Sequence, residues 1–303
     1  MPAHTPEAAV RGPLIAIGGA EDKQKERRVL ARLTQLAGGS SACIAVVPTA
    51  SMVPDELAAV YLRVFRELGA GDVHVIHATR RVDASDPDQL ARLQECSLIF
   101  FTGGDQLRLV ATLGGTPLAQ IIRRMNANGI PVAGTSAGAA AICQHMIGRG
   151  RSGQVAGRHM VSLAPGLGLT NRIVVDQHFS QRHRMGRLFS AVAMNPFLVG
   201  VGIDEDTAAC INGNNQLEVW GRGCVTVVDG SELVYTDVHE IEGRAPASVL
   251  GTKVHVLTPG CTFDLLNRPA EGPPPPPPRT PPAPAPAPEA AAPEAAPKKR
   301  TRR

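Results

Sequence analysis

Residues 130–143, IPVAGTSAGAAAIC, constrain the fold of this chain more than any other stretch. Val132 and Ala133 predict a short buried strand, and the alanines after Ser136 favour a helix. The text between them, GTSAG, matches a nucleophile elbow, whose small residues let a sharp strand-to-helix turn close. In such a turn the hydroxyl projects from the carboxyl edge of a sheet, and the amide of Ala137 faces the same space. A close-packed turn without chemistry would use the same residues, so the motif alone does not decide.

The rest of the chain predicts the sheet that this turn belongs to. Apolar strands alternate with helices: strands are expected within 12–22, 43–51, 72–78 and 97–104, and helices within 23–38, 55–70 and 105–129. Because these strands are apolar on both faces, they indicate a parallel sheet covered by helices on both sides. From about residue 207 the sequence predicts antiparallel strands joined by polar turns and added to the same domain.

Composition excludes several classes of protein. Of the 303 residues, 43% are hydrophobic and 19% charged, as in ordinary globular domains, and no apolar run is long enough for a membrane span. The N-terminus lacks the pattern of a secretory signal. Six scattered cysteines without a CxxC pair predict reduced thiols in a cytoplasmic protein, neither a disulfide framework nor a metal site.

Residues 271–303 differ sharply from the rest of the chain. They hold 13 of the 26 prolines and a net charge of +3 out of +4. We expect a disordered, extended tail whose basic end, KKRTRR, either is merely solvated or touches an anionic partner. The remaining chain is nearly neutral, so a nucleic-acid partner is not expected. The predicted organisation is a disordered segment at 1–11, one folded domain at 12–270 and the tail.

A second glycine-rich turn lies in FFTGGDQ, residues 100–106. The backbone N–H of Gly104 or Asp105 could complete an oxyanion hole with that of Ala137, and the side chain of Gln106 could reach a substrate. Alternatively, the two glycines only end a strand.

The segment IVVDQHFSQRHRMGRL, residues 173–188, has the densest chemistry. A strand is expected to end at Asp176, Gln177 and His178, and an imidazole is the usual base for a serine nucleophile. Three arginines follow: Arg182, Arg184 and Arg187. They suit bidentate binding of carboxylates, and the last two would share one face of a helix. A core histidine beside a solvated helix face is the alternative interpretation.

The third piece is VGVGIDEDTAACI, residues 199–211, where a strand ends in Asp204, Glu205 and Asp206. A carboxylate here could orient the imidazole and stabilise its cation. Periodicity does not choose among the three acids, and all three could simply cap the strand.

In this order, IGGAEDK, FFTGGDQ, GTSAGA, DQHFSQRHRMGRL and GIDEDTA resemble the cyanophycinases, serine exopeptidases of the peptidase E-like group. The resemblance covers residues 12 to about 268. GTSAGA is shared by the wider group, whereas DQHF followed by three arginines at this spacing is specific to cyanophycinases. It implies a flavodoxin-like, three-layer αβα sandwich related to class I glutamine amidotransferases, no metal or other cofactor, and a homodimer.

The resemblance also implies a substrate and roles for residues. The substrate would be cyanophycin, a polyaspartate with arginine joined to each β-carboxyl, cleaved from its C-terminal end into β-Asp-Arg dipeptides. Ser136 would be the nucleophile, His178 its base and Glu205 the residue that orients the base. Other positions match the substrate pocket: Gln106, Asp176, Gln177, Arg182, Arg184 and Arg187.

Three other functions compete with this hypothesis. A dipeptidase for aspartyl or isoaspartyl dipeptides has the same fold and does not need the arginine trio. A class I glutamine amidotransferase requires a cysteine at the elbow, where this chain has Ser136. A non-catalytic binding module would act through the basic tail, but then an intact serine, histidine and glutamate would have no use.

Overall fold

The structure is a computed structural model that describes residues 1–7 and 9–273. Its α-helices are α1 (Arg28–Leu36), α2 (Pro54–Glu67), α3 (Pro87–Gln94), α4 (Gln106–Leu113), α5 (Pro117–Ala127), α6 (Ala137–Ala141) and α7 (Met185–Met194). The strands of the first half are β1 (Leu14–Ile17), β2 (Cys43–Val47), β3 (Asp72–Val75), β4 (Leu98–Phe101), β5 (Val132–Thr135), β6 (His145–Gly150) and β7 (Val161–Pro165). Those of the second half are β8 (Ile173–Gln177), β9 (Val199–Ile203), β10 (Thr207–Ile211), β11 (Gln216–Gly221), β12 (Val225–Asp229), β13 (Tyr235–Thr236), β14 (Val249–Leu250), β15 (Lys253–Leu257), β16 (Thr262–Asp264) and β17 (Ala270–Glu271).

The larger sheet has nine strands in the order β17-β16-β11-β10-β1-β5-β4-β2-β3. The five from β1 to β3 in this order are parallel, and the other four extend the sheet with antiparallel pairs. The prediction of an α/β fold with a mainly parallel sheet and added C-terminal antiparallel strands is therefore confirmed.

Helices cover both faces of this sheet. On one face, α1 and α2 contribute Leu30, Leu33 and Phe65 to a buried cluster. On the other face, α4 and α5 bury apolar side chains such as Leu109 and Ile122. Burial of side chains of this size contributes about 1.5–3 kcal/mol each, so the layers hold the strand ends in fixed positions.

A second sheet was not anticipated from the sequence. Its order is β15-β12-β9-β8, in which β8 and β9 are parallel and the other two pairs are antiparallel. Helix α6 contacts both β5 and β8 and therefore lies between the sheets. Its alanines are buried, and such small side chains allow this close packing. The turn before α6 thus faces the ends of β8 and β9.

The helix expected from residue 23 begins only at Arg28. Asp22 explains the delay, because its carboxylate accepts hydrogen bonds from the four backbone N–H groups of residues 24–27. These bonds hold the segment as a turn and lower the pKa of Asp22 below its ordinary value.

The chain ends bear on the predicted domain limits. Strand β17 includes Glu271, one residue beyond the predicted domain boundary, and the tail from residue 274 lies outside the described residues. Near the N-terminus, Arg11 donates hydrogen bonds to Thr5 and Asn126; disorder of residues 1–11 stays a prediction. Within the described part of the chain, no helix is long and apolar enough to cross a membrane.

Candidate active site

The turn between β5 and α6 has the backbone of a nucleophile elbow. Ser136 has φ 52° and ψ −109°, a conformation that costs a non-glycine residue on the order of 1–3 kcal/mol. A Cβ atom added at Gly134 would lie 2.4 Å from the carbonyl carbon of Gly138, and one added at Gly138 would lie 2.7 Å from the carbonyl oxygen of Phe101. Only glycines fit here, which is why GTSAG surrounds the serine.

Ser136, His178 and Glu205 form a hydrogen-bonded chain. Ser136 Oγ lies 3.0 Å from His178 Nε2, and His178 Nδ1 lies 2.7 Å from Glu205 Oε1. The serine follows β5 of the larger sheet, whereas the other two residues follow β8 and β9 of the second sheet. The site is therefore assembled between the two sheets, with the geometry of a nucleophile, a base and an orienting carboxylate.

The two acids beside Glu205 have other partners. The carboxylate of Asp204 accepts hydrogen bonds from the backbone N–H groups of Ser180 and Cys224. That of Asp206 accepts one from the backbone N–H of Asp22. Both acids therefore fix loops around the site, and Glu205 is the one that contacts the imidazole.

His178 is held in a tight and largely dehydrated place. It is 8% exposed, and burial lowers the pKa of its imidazole below the ordinary value, while the hydrogen bond that Nδ1 donates to the Glu205 carboxylate acts in the opposite direction. Gly19 lies against the ring: a Cβ atom added there would be 2.4 Å from His178 Nε2. A lowered pKa favours the neutral imidazole, which is the form that acts as a general base.

A buried acid beside the elbow, Glu21, was not identified from the sequence. Its carboxylate accepts hydrogen bonds from the hydroxyl of Tyr61 and, at 2.6 Å, from that of Thr135. Lys23 Nζ lies 3.0 Å from the same carboxylate. Since Thr135 directly precedes Ser136, this network fixes the entry into the elbow.

The structure corrects one of the expected oxyanion-hole donors. The backbone N–H of Asp105 donates to the carbonyl oxygen of Ala50 at 2.9 Å, so it is not free for an oxyanion. Its side chain caps α4 by accepting from two backbone N–H groups. Gly104 and Ser136 line the same cavity, and Ala137 is the first residue of α6. The amides of Gly104 and Ala137 are therefore the candidates that remain.

The cavity beside Ser136 has a volume of about 560 Å³. It is lined by Gly104, Gln106, Ser136, Arg149, Gly150, Gln177, Arg182, Arg184 and Arg187. The amide nitrogen of Gln106 donates to the carbonyls of Ile147 and Gly148, so the side chain offers its oxygen to a ligand. With four arginines and no carboxylate in this lining, the cavity suits an anionic group.

Arg149 was missed by the sequence analysis. It lies near the end of β6, and nothing in the local pattern marks it as part of a site. Both Arg149 and Arg182 are exposed, and neither has an ion-pair partner among the described residues. These two guanidinium groups are free to bind a ligand.

Asp176 does not line the cavity, contrary to the expectation that it contacts the substrate. Its side chain is fully buried, and its carboxylate oxygens lie 3.3 Å from Arg184 Nη1 and 2.7 Å from Arg187 Nε. Burial raises the pKa of Asp176 to about 6, and the guanidinium groups of Arg187 and Arg184 oppose this effect. The Asp176 carboxylate therefore bridges the two buried arginines. Arg184 also donates a hydrogen bond to the side-chain oxygen of Gln177.

Comparison with known proteins identifies the family. The model of peptidase family S51 matches residues 14–219. A cyanophycinase from Trichormus variabilis is 43% identical over 265 residues, which cover 87% of this chain and 89% of the relative. The chain belongs to peptidase family S51. A cyanophycinase from Synechococcus elongatus is 42% identical over 256 residues, covering 84% of this chain and 80% of the relative.

Solved structures of peptidases support the fold. A peptidase from an acI-B1 actinobacterium matches with a TM-score of 0.63 and 23% identity, covering 84% of this chain and 97% of that one. A putative peptidase E from Listeria monocytogenes matches with a TM-score of 0.51 and 18% identity, covering 70% of this chain and 98% of that one. At these identities the likeness concerns the fold, and it agrees with the layered α/β architecture described above.

Proposed function

We propose that this S51 peptidase is a serine-type exopeptidase that hydrolyses cyanophycin to β-Asp-Arg dipeptides. The observation that carries the proposal is the hydrogen-bonded chain of Ser136, His178 and Glu205 at a cavity lined by four arginines. Each repeat of cyanophycin presents the α-carboxylate of an arginine, a group that guanidinium pairs bind well. Relatives that are 43% and 42% identical to this chain bear the name cyanophycinase.

The geometry supports a two-step acyl transfer. Ser136 Oγ attacks the backbone carbonyl carbon of an aspartyl residue, and His178 Nε2 takes the hydroxyl proton. The N–H groups of Gly104 and Ala137 stabilise the oxyanion. The C–N bond then breaks, and the proton passes from His178 to the leaving amine of the β-Asp-Arg unit. A water molecule activated by His178 hydrolyses the ester and regenerates the serine. Glu205 orients the imidazole and stabilises its cation.

The remaining positions divide into two groups. The first group lines the cavity and faces the substrate: Arg149, Arg182, Gln106 and Gln177. In the second group, Asp176 holds the side chains of Arg184 and Arg187 in position. A substrate guanidinium would meet neutral acceptors, such as the side-chain oxygen of Gln106, because no acid is present in the described lining. Within this lining, only the carboxylates of the substrate therefore meet fully charged partners, which are the guanidinium groups of the arginines.

Incubation with insoluble cyanophycin tests this function against the dipeptidase alternative. We expect soluble β-Asp-Arg to appear, identified by mass, from the earliest time points while the remaining chains shorten from one end. Release of free arginine or of long fragments would contradict the proposal. Hydrolysis of isoaspartyl dipeptides without attack on the polymer would favour the dipeptidase.

Replacing Glu205 by Gln is expected to lower kcat/KM about 10³- to 10⁴-fold, because the imidazolium formed during attack loses its counter-charge. Since Glu205 raises the pKa of His178, its loss should also move the acid limb of the pH–rate profile to lower pH. The profile of kcat/KM for both proteins checks both effects. Asp206→Asn serves as a matched control; a larger loss in that variant would mean that the orienting acid is misassigned.

Replacing Arg182 by Lys is expected to lower kcat/KM on cyanophycin about 10-fold, although the charge is kept. A lysine cannot make the planar two-bond contact with a carboxylate. On a short β-Asp-Arg oligomer with fewer carboxylates the loss should be smaller. Arg158→Lys, at an exposed position outside this cavity lining, is the control. Equal losses on both substrates, or none, would mean that Arg182 does not bind the polymer.

Four features stay predictions of this proposal. They are the homodimer, a cytoplasmic location, the domain at 12–270 and a disordered tail. Sedimentation of the full chain and of a chain ending at residue 273 tests the dimer and the role of the tail together. We expect both proteins to sediment as dimers.

A further inference from the structure

Two thiols and an imidazole converge at a place unrelated to the peptidase chemistry. Cys43 Sγ lies 3.1 Å from Cys96 Sγ. One nitrogen of His74 joins them, and the three ligand atoms all lie within 4.8 Å of one another. Among the described residues, this is the one group of three or more His, Cys, Asp or Glu side chains close enough together to hold a metal ion.

The fold brings these residues together from three adjacent strands. Cys43 is the first residue of β2, and its neighbour on β3 is Asp72, two residues before His74. Cys96 comes two residues before β4, and Cys43 exchanges hydrogen bonds with the intervening Ser97. All three strands run parallel to β5, so the two cysteines lie at the amino edge of the sheet, at the opposite end from Ser136, whereas His74 is the third residue of β3.

The surroundings of the cluster suit a cation. The Asp72 carboxylate lies 3.4 Å from His74 Nε2, and such a carboxylate orients a metal-bound histidine from outside. The carboxylates of Asp72 and Glu95 also place negative charge close to both thiols. A bound cation would favour the thiolate form of both cysteines, because metal binding displaces the thiol protons.

The cluster is also accessible from solvent on one side. Cys96 is 2% exposed, whereas the side chain of His74 is 24% and that of Asp72 57% exposed. A cation can therefore enter past His74 and Asp72, and a water molecule can occupy the fourth position of a tetrahedral site. Sulfur and imidazole ligands in this number favour Zn²⁺ or a similar thiophilic divalent ion over Mg²⁺ or Ca²⁺.

We propose that Cys43, His74 and Cys96 bind one thiophilic divalent cation of the Zn²⁺ class, with Asp72 as the outer partner of the imidazole. Binding releases both thiol protons to the solvent and involves no electron transfer. The site ties the amino ends of β2 and β4 to β3 and takes no part in hydrolysis. The sequence offered no sign of it, because its ligands are separated by 31 and 22 residues and no two form a CxxC pair.

Cobalt binding tests the site directly. The reduced full-length protein is titrated with Co²⁺ without oxygen, and we expect one ion per chain with thiolate-to-cobalt charge transfer, displaced by Zn²⁺. Cys43→Ser and His74→Gln should lose this absorption. Cys224→Ser removes a thiol of similar half-exposure and should keep it. Circular dichroism checks folding, and the partly exposed His74 provides a variant should Cys43→Ser fail to fold.

Two results would overturn the proposal. One is the absence of a charge-transfer band in the reduced wild-type protein, or its persistence in both ligand variants. The other is oxidation of Cys43 and Cys96 to a disulfide by glutathione disulfide in a protein that binds no cobalt when reduced, which would make them a redox pair. Neither readout uses peptidase activity, so failure here is distinct from failure of the proposed function.

Discussion

Replacing Ser136 by Ala is expected to lower cyanophycin hydrolysis on the order of 10⁵- to 10⁶-fold. The substitution removes the oxygen that lies 3.0 Å from His178 Nε2, and with it the acyl-enzyme route. The oxyanion donors and the arginine-lined cavity stay in place, so a small residual rate over the uncatalysed reaction is expected. Initial rates of β-Asp-Arg release measure the effect.

The fold should survive this change. Alanine fits wherever serine does, and the lost hydrogen bond is a single contact at a cavity edge, so the unfolding temperature should change little. Ser41→Ala, on an exposed turn, serves as the control and should keep full activity. If folded Ser136→Ala protein retained more than about a thousandth of the wild-type rate, another group would have to be the nucleophile.

Replacing His178 by Ala is expected to cost about as much as loss of the serine, because an unactivated hydroxyl is a weak nucleophile at neutral pH. The double variant Ser136→Ala, His178→Ala should then be no slower than either single variant. Residues that act as one unit show such non-additive losses. The three values of kcat/KM on cyanophycin check this prediction.

A control for His178→Ala lies on the same sheet. His255, on β15, is half-buried and lies away from the cavity, so His255→Ala should leave kcat/KM unchanged. If the losses in the double variant multiplied, Ser136 and His178 would act independently, and a shared proton transfer would be excluded.

The sequence predicted local features best. The elbow could be predicted because its constraint lies in five consecutive residues, where only glycines fit beside Ser136. Strand polarity likewise predicted that His178 and the acids of residues 204–206 would lie at strand ends. Periodicity could not show which of the three acids contacts His178. The choice depends on hydrogen bonds made in the folded chain, where Asp204 accepts from the backbone N–H groups of Ser180 and Cys224 and Glu205 is left to contact the imidazole.

Features that depend on three-dimensional partners escaped sequence reasoning. Asp176 looks like a substrate-binding residue until its burial beside Arg184 and Arg187 is known. Asp105 looks like an oxyanion donor until its amide is found bonded to Ala50. Arg149 has no motif at all. The division of β8 and β9 into a second sheet was equally hidden, because a buried strand has the same apolar composition in either sheet.

Labelling with a fluorophosphonate tests the central claim most directly. An activated serine displaces fluoride, forms a bond to phosphorus through its oxygen and loses its proton to the base. We expect peptide mapping to find the label on Ser136 alone, with release of β-Asp-Arg from cyanophycin falling in proportion to the labelled fraction. Label on a different residue, or undiminished release by protein fully labelled at Ser136, would contradict the account.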